Sequence, residues 1–273
     1  MKICFKNIQY KQYLVSVLIL SGILLSSANS FSQDKDREEA KDTTRILFIG
    51  NSYTFMNDLP GTFKKLAESG GETVITDISA IGGTTLAKHS KNKNTINKIK
   101  KGDWDYVVLQ EHSLGTLVDS FRVRYTYPAI EYLDSLIKLQ KAKTLLYMTW
   151  GRKTGGQQTL DSLKTKNYKD YFEMQSVIEK SYRDLSKKFG ARIVPAGLAW
   201  QNVVRRYYFA DLWQEDLSHP NVEGTYLNAC VFYATIFGKS PVGLSYTDGI
   251  DKNYAKFLQE TAYNTYKEFY GVK

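Results

Sequence analysis

Arg45-Ile-Leu-Phe-Ile49-Gly50-Asn51-Ser52-Tyr53-Thr54 is the stretch that decides how this chain folds. Four apolar residues follow Arg45 without any polar alternation, the pattern of a strand buried on both faces in a parallel sheet covered by helices. The run stops at a glycine and two polar residues. That stop turns the chain sharply and leaves Ser52 at the strand tip.

Working outward, four more β-like runs fall at 73–78, 106–110, 144–149 and 192–195, after the first at 45–49. Helical patterns separate them. Tyr171, Met174, Ile178, Tyr182, Leu185 and Phe189 recur at three- and four-residue gaps, and Gly190 closes that helix as its C-terminal cap. Ile130, Leu133 and Ile137 mark another. Tyr226, Cys230, Tyr233 and Phe237 mark a third, and a final helix covers roughly 253–270. The alternation predicts an α/β three-layer sandwich around a central, mostly parallel five-stranded sheet, flavodoxin-like in plan. No repeat or Pro/Gly-rich linker interrupts residues 43–273, so one domain is the economical reading.

In such a sheet, ligands bind at the carboxyl ends of the strands. Polar or glycine-rich tips follow the strands in turn: Gly50-Asn51-Ser52, Gly82-Gly83-Thr84, Gln110-Glu111-His112-Ser113 and Trp150-Gly151-Arg152. A later loop, Asp216-Leu-Ser-His219-Pro220, returns to the same end. A serine at a strand tip is a helix cap or turn residue in one reading. In the other it is a nucleophile waiting for a base. An imidazole is such a base near neutral pH, and a carboxylate three residues away in the same loop can reach its second ring nitrogen. Ser52, Asp216 and His219 are therefore the candidate catalytic residues.

The Gly50-Asn-Ser52-Tyr-Thr54 block, the Asp216-x-x-His219-Pro220 block and the glycine pair Gly82-Gly83 together resemble the SGNH (GDSL-type) hydrolase superfamily, in its branch with a GNSYT-like serine block. The wording is not G-x-S-x-G, which disfavours the α/β-hydrolase elbow. The resemblance covers essentially the whole region after residue 43 and implies the SGNH form of the flavodoxin-like fold. It also implies a Ser-His-Asp acyl-enzyme mechanism with an oxyanion hole made by the Ser52 and Gly83 backbone N–H groups and a third donor. Members of the superfamily usually supply that donor from the Asn of a G-x-N-D block. This chain reads Gln110-Glu111-His112-Ser113 there. Gln110 is the preferred substitute, His112 the alternative, and Glu111 is placed to orient either. Trp150 and Arg152 suit stacking on a sugar ring and holding a carboxylate or hydroxyl, or else packing under a helix and pairing with a surface acid. His89, in a lysine-rich segment, reads as a surface residue.

Residues 1–32 read as a secretory signal peptide: Lys2, Lys6 and Lys11, a short apolar core, then small-x-small sites at Ala28–Ser30 and Ser30–Ser32. A retained N-terminal anchor is the other reading. Residues 33–42 read as a flexible, charged lead-in. Removing the leader lowers the formal net charge from +9 to about +6, with the remaining lysines dispersed over helix-like faces. That is a solvated surface, with no dense patch or module for nucleic acid. Cys4 precedes the apolar core and cannot serve as a lipoprotein cysteine. Cys230 alone remains, so no disulfide is expected, and the sparse histidines offer no metal spacing. No cofactor is called for.

The sequence thus leads to an exported, periplasmic or secreted, ester hydrolase without a stable membrane anchor. Its expected substrate is a small-molecule or polysaccharide ester, from which it removes short acyl groups such as acetyl. A lipid esterase, thioesterase or acyltransferase on the same triad is one alternative; a carbohydrate-binding protein with little catalytic power is the other. Oligomeric state is left open.

Overall fold

The computed structural model describes residues 43–160, 163–207 and 210–272. The leader-peptide reading of residues 1–32 and the lead-in 33–42 lie outside the described residues. Strands β1 (Thr44–Gly50), β2 (Val74–Ala80), β3 (Tyr106–Leu109), β4 (Lys143–Tyr147) and β5 (Arg192–Val194) form one sheet in the order β2-β1-β3-β4-β5. Every pairing in it is parallel. The expected three-layer α/β architecture is therefore the observed one, with all five strands within a residue or two of their predicted places.

The longer helices are α1 (Leu59–Ser69), α2 (Lys93–Lys101), α3 (Tyr127–Leu139), α4 (Tyr171–Phe189), α5 (Ala196–Arg206), α6 (Val222–Phe237) and α7 (Lys252–Tyr270). Alternation along β1 explains why they divide between two faces. Ile46 and Phe48 point into a core with Phe63 of α1, Trp200 of α5, Phe232 of α6 and Leu258 of α7. Leu47 and Ile49 point the other way, among Ile99 of α2, Leu133 of α3 and Ile178 of α4. All four β1 side chains are fully buried, each contributing roughly 1.5–3 kcal/mol of transfer free energy.

Helix α6 is buried on nearly every side, wedged among α1, α5 and α7. Asn221 caps it by accepting from the Gly224 N–H at 2.9 Å. Because α6 begins three residues after His219, this fixed helix anchors one end of the loop that carries His219. Gly224 itself has no room for a side chain: a Cβ there would lie 2.4 Å from the Leu212 carbonyl and 2.6 Å from the Trp200 ring. Two local features were not expected from sequence, a short antiparallel hairpin of Thr159–Leu160 with Leu163–Lys164 and a π-helical turn over Arg122–Thr126. Strand order reverses between β1 and β3. The sheet thus opens its crevice at the carboxyl ends of those two strands.

Candidate active site

At that crevice, the chain leaves β1 through Gly50 and enters a single helical turn, Ser52–Phe55. Asn51 is its cap, accepting from the Tyr53 N–H at 3.1 Å, so the Ser52 hydroxyl is not spent on capping. Instead Ser52 Oγ lies 2.8 Å from His219 Nε2. His219 Nδ1 meets Asp216 Oδ2, and the other carboxylate oxygen accepts the Ser218 and His219 N–H groups at 3.0 and 2.9 Å. These bonds tie Asp216 to the loop independently of the imidazole. Partial burial raises the Asp216 pKa, but the hydrogen bonds from the His219 ring and from the two backbone N–H groups outweigh it and hold the carboxyl below its ordinary value. The three side chains expected to act together are thus in one hydrogen-bonded row, across 167 positions of sequence. Such a row can deprotonate a serine hydroxyl as it attacks a carbonyl and then hand the proton to a leaving group.

Gly50 shows why the serine turn has its wording. A Cβ at this position would fall 2.3 Å from Thr54 Oγ1 and 2.5 Å from Gln110 Oε1. Gln110 Oε1 accepts from the Asn51 N–H at 2.8 Å and from Thr54 Oγ1 at 2.9 Å, while its Nε2 donates to the Glu111 carbonyl at 2.7 Å. Gln110 is 1% exposed and does not line the cleft. The expectation that it donates to an oxyanion is therefore corrected: its carboxamide is turned beneath the serine turn, which it braces. His112 does line the cleft, together with Ser52, Gly83 and His219. Burial, then the Arg152 and Lys88 charges, lower the His112 pKa and favour its neutral ring.

Gly83 sits at φ +62, a left-handed backbone that disfavours any side chain, and borders the same cleft. Its loop is joined to the serine turn by Asn51 Nδ2, which donates to the Thr84 carbonyl at 3.1 Å. His89 is a second correction. It is fully buried, with Nε2 2.7 Å from the Gly50 carbonyl and Nδ1 2.9 Å from Thr95 Oγ1. A carbonyl can only accept, so the proton is on Nε2 and Thr95 donates to Nδ1. Its one-turn helix, Leu86–His89, turns the ring inward while Lys88 stays exposed.

Trp150 is likewise not at the cleft mouth. It is 1% exposed, stacked between Tyr53 (centroids 4.8 Å apart) and Trp200 (3.9 Å), with Trp213 edge-on to Trp200 at 4.9 Å. Its Nε1 donates to the Ser218 carbonyl at 3.0 Å. Tyr53 Oη and Ser218 Oγ are 2.6 Å apart, and the Tyr53 ring meets His219 edge-on at 5.5 Å. The tryptophan expected to stack on substrate instead supports the histidine loop from below. Sequence reading also missed Asn57, whose Nδ2 donates to the Pro220 carbonyl at 2.8 Å and pins the far side of that loop. Only Tyr53, inside the quoted serine block, carried a visible signal. Arg152 does reach the cleft.

Glu111 is buried beside this site. Its Oε1 accepts from the Leu86 N–H at 3.1 Å and from the His112 N–H at 2.7 Å, joining the glycine loop to the His112 loop. Burial, only partly offset by hydrogen bonds, raises its pKa from 4.5 to about 7. Between those values the folded state keeps a proton that the unfolded chain has lost. Its stabilisation is thus full below about pH 4.5 and lost as pH rises through about 7, on the order of 3 kcal/mol in all. Glu111→Gln retains the acceptor and cannot ionise. Its melting temperature relative to wild type should therefore rise by several degrees between roughly pH 5 and pH 8. Thermal unfolding at both pH values checks this, and a constant difference would count against a buried ionising carboxyl.

Among the described residues no group of three His, Cys, Asp or Glu side chains could hold a metal ion. No protein-family model matches the chain, and no curated protein matches it. Solved structures do. One is a DUF4886 family protein from Bacteroides uniformis, with a TM-score of 0.71 and 22% identity over 85% of this chain and 97% of that one. Another is a protein from Slackia heliotrinireducens assigned as an SGNH hydrolase, with a TM-score of 0.56 and 24% identity over 71% of this chain and 100% of that one. The psychrotrophic esterase EstA from Pseudoalteromonas sp. is similar at a TM-score of 0.51 and 14% identity, over 71% and 97% of the two chains. At such identities the likeness is one of fold.

Proposed function

We propose that the protein is a serine ester hydrolase in which Ser52 attacks the ester carbonyl, His219 acts as general base and then general acid, and Asp216 orients the imidazole. The observation that carries this reading is the 2.8 Å contact of Ser52 Oγ with His219 Nε2 while Nδ1 is held by Asp216. Deprotonation of Ser52 by His219 accompanies formation of the Oγ–C bond. Collapse of the tetrahedral intermediate expels the alcohol, which takes the proton from His219. Water, activated by the same imidazole, then cleaves the acyl-enzyme.

The Ser52 and Gly83 N–H groups are the backbone donors for the oxyanion in this reading, and His112 supplies the side-chain donor in place of Gln110. The cleft is small, about 180 Å³, which favours short acyl groups such as acetyl. A carbohydrate ester outside the cytosol is the setting we infer, on the strength of the leader-like segment and the sequence resemblance.

Incubating the purified protein with p-nitrophenyl acetate and with a phosphonate ester tests the whole reading. Turnover and a mass increment on the peptide containing Ser52 are expected; no turnover and no labelling would overturn it. His112→Ala should lower kcat by roughly a hundred- to a thousandfold with a smaller change in KM, the effect of removing a donor aimed at the transition state. Gln110→Ala should act mainly on stability, because it leaves the buried Asn51 N–H without an acceptor, at a cost of about 1–3 kcal/mol. The reverse ranking would return the donor role to Gln110.

A further inference from the structure

We propose that Arg152 is a carboxylate-binding residue of the cleft, so that the preferred substrates are esters carrying a carboxylate close to the scissile bond. This rests on the hydrolase reading and adds the substrate's charge to it.

The backbone around Arg152 is fixed with unusual completeness. The Gly151 N–H donates to Gln175 Oε1 at 2.9 Å, and the Gly151 carbonyl accepts from Trp213 Nε1 at 3.2 Å. A side chain at Gly151 would meet Tyr171 at 3.3 Å, so the chain passes there in close contact. The Arg152 N–H points to Met174 Sδ at 3.2 Å, and the Lys153 N–H donates to the Leu217 carbonyl at 3.0 Å, in the loop of His219. From this rigid base the side chain lines the same cleft as Ser52, Gly83, His112 and His219.

What the guanidinium lacks is a partner. Among the described residues it forms no ion pair, and its Nε is buried without a hydrogen bond. Arg122, an enclosed arginine of the same chain, is paired with Asp119 at 2.7 Å. Buried charge is normally paired, because leaving water without compensation is costly. Among the described residues no acid lines the cleft, and the two acids that border this site are committed elsewhere. Asp216 is held by His219 and its own loop, and Glu111 by the Leu86 and His112 N–H groups. The Arg152 charge therefore acts across the cleft, where it adds to the burial that lowers the His112 pKa and opposes the burial that raises that of Tyr53. A planar fork with free donors, in a small cleft without a counter-charge, matches a carboxylate presented by the ligand.

The test is a pair of charge comparisons at equal size. O-acetylglycolate is set against O-acetylglycolamide, and ethyl hemisuccinate against ethyl succinamate. The wild-type protein should favour the carboxylate member of at least one pair by roughly ten- to a hundredfold in kcat/KM, and added salt should erode the preference. Preference in the first pair places the carboxylate on the leaving alcohol; preference in the second places it on the acyl group. In Arg152→Gln the preferred ratio should fall towards one, and Arg152→Lys should keep part of it. Ratios at or below one in both wild-type pairs would overturn the proposal, as would a preference that survives Arg152→Gln. Because each ratio is internal to one protein, a partly unfolded variant does not distort it. If the wild type turns over p-nitrophenyl acetate but none of the four esters, the proposal is overturned; if it turns over neither, the hydrolase reading itself fails and takes this inference with it.

Discussion

Ser52→Ala and His219→Ala should each lower kcat by roughly 10⁴- to 10⁶-fold while leaving the fold intact, because the members of such a triad act as a unit. The geometry gives the reason for both halves of that result. Ser52 Oγ hydrogen-bonds to His219 Nε2, and the helical turn it begins is capped by Asn51 and braced by Gln110. Removing one oxygen therefore costs the nucleophile and little else. The double variant should be scarcely worse than either single one, the signature of residues serving one step. Steady-state kinetics on p-nitrophenyl acetate, with circular dichroism as the control for folding, measure the effect. A folded Ser52→Ala protein with near-normal turnover would remove Ser52 from the mechanism.

Trp150→Ala should be the most destabilising single change at the site, at about 3–5 kcal/mol, the usual cost of deleting a buried aromatic side chain. Trp150 fills the gap between the Tyr53 and Trp200 rings. Chemical denaturation measures that loss. Trp150→Phe separates packing from support. It restores most of the volume but removes the N–H that reaches the Ser218 carbonyl. Stability should recover by more than half, whereas kcat should stay depressed because the loop bearing His219 has lost its tether. Equal recovery of both quantities would show that the hydrogen bond to Ser218 has no part in turnover.

The sheet was legible chiefly from β1 and β3, apolar runs ended by a glycine or a polar residue. Ser52, Asp216 and His219 were legible as candidates, since few residue types can act as nucleophile, base and orienting acid, and the structure places them in one hydrogen-bonded row. What sequence could not supply was direction. Gln110 and His112 are two residues apart in a short segment after β3, and which of them faces the cleft depends on a contact with Asn51 across 59 positions. His89 lies among lysines, and a single helical turn is too short for periodicity to show that its ring points inward. Trp150 follows its strand as a cleft-mouth residue would, and the rings that cover it, Tyr53 and Trp200, lie far from it along the chain.

That aromatic column makes the protein its own optical probe. Three of its four tryptophans lie in it, with the Trp150 and Trp200 rings stacked 3.9 Å apart and only 2° from parallel. Rings this close exchange excitation and couple their ultraviolet transitions. Light absorbed by Tyr53 passes to Trp150 4.8 Å away. Emission and near-ultraviolet dichroism therefore track the arrangement beneath the histidine loop, and the assembly of the Ser52–His219 end can be timed in a stopped-flow instrument with no ester present.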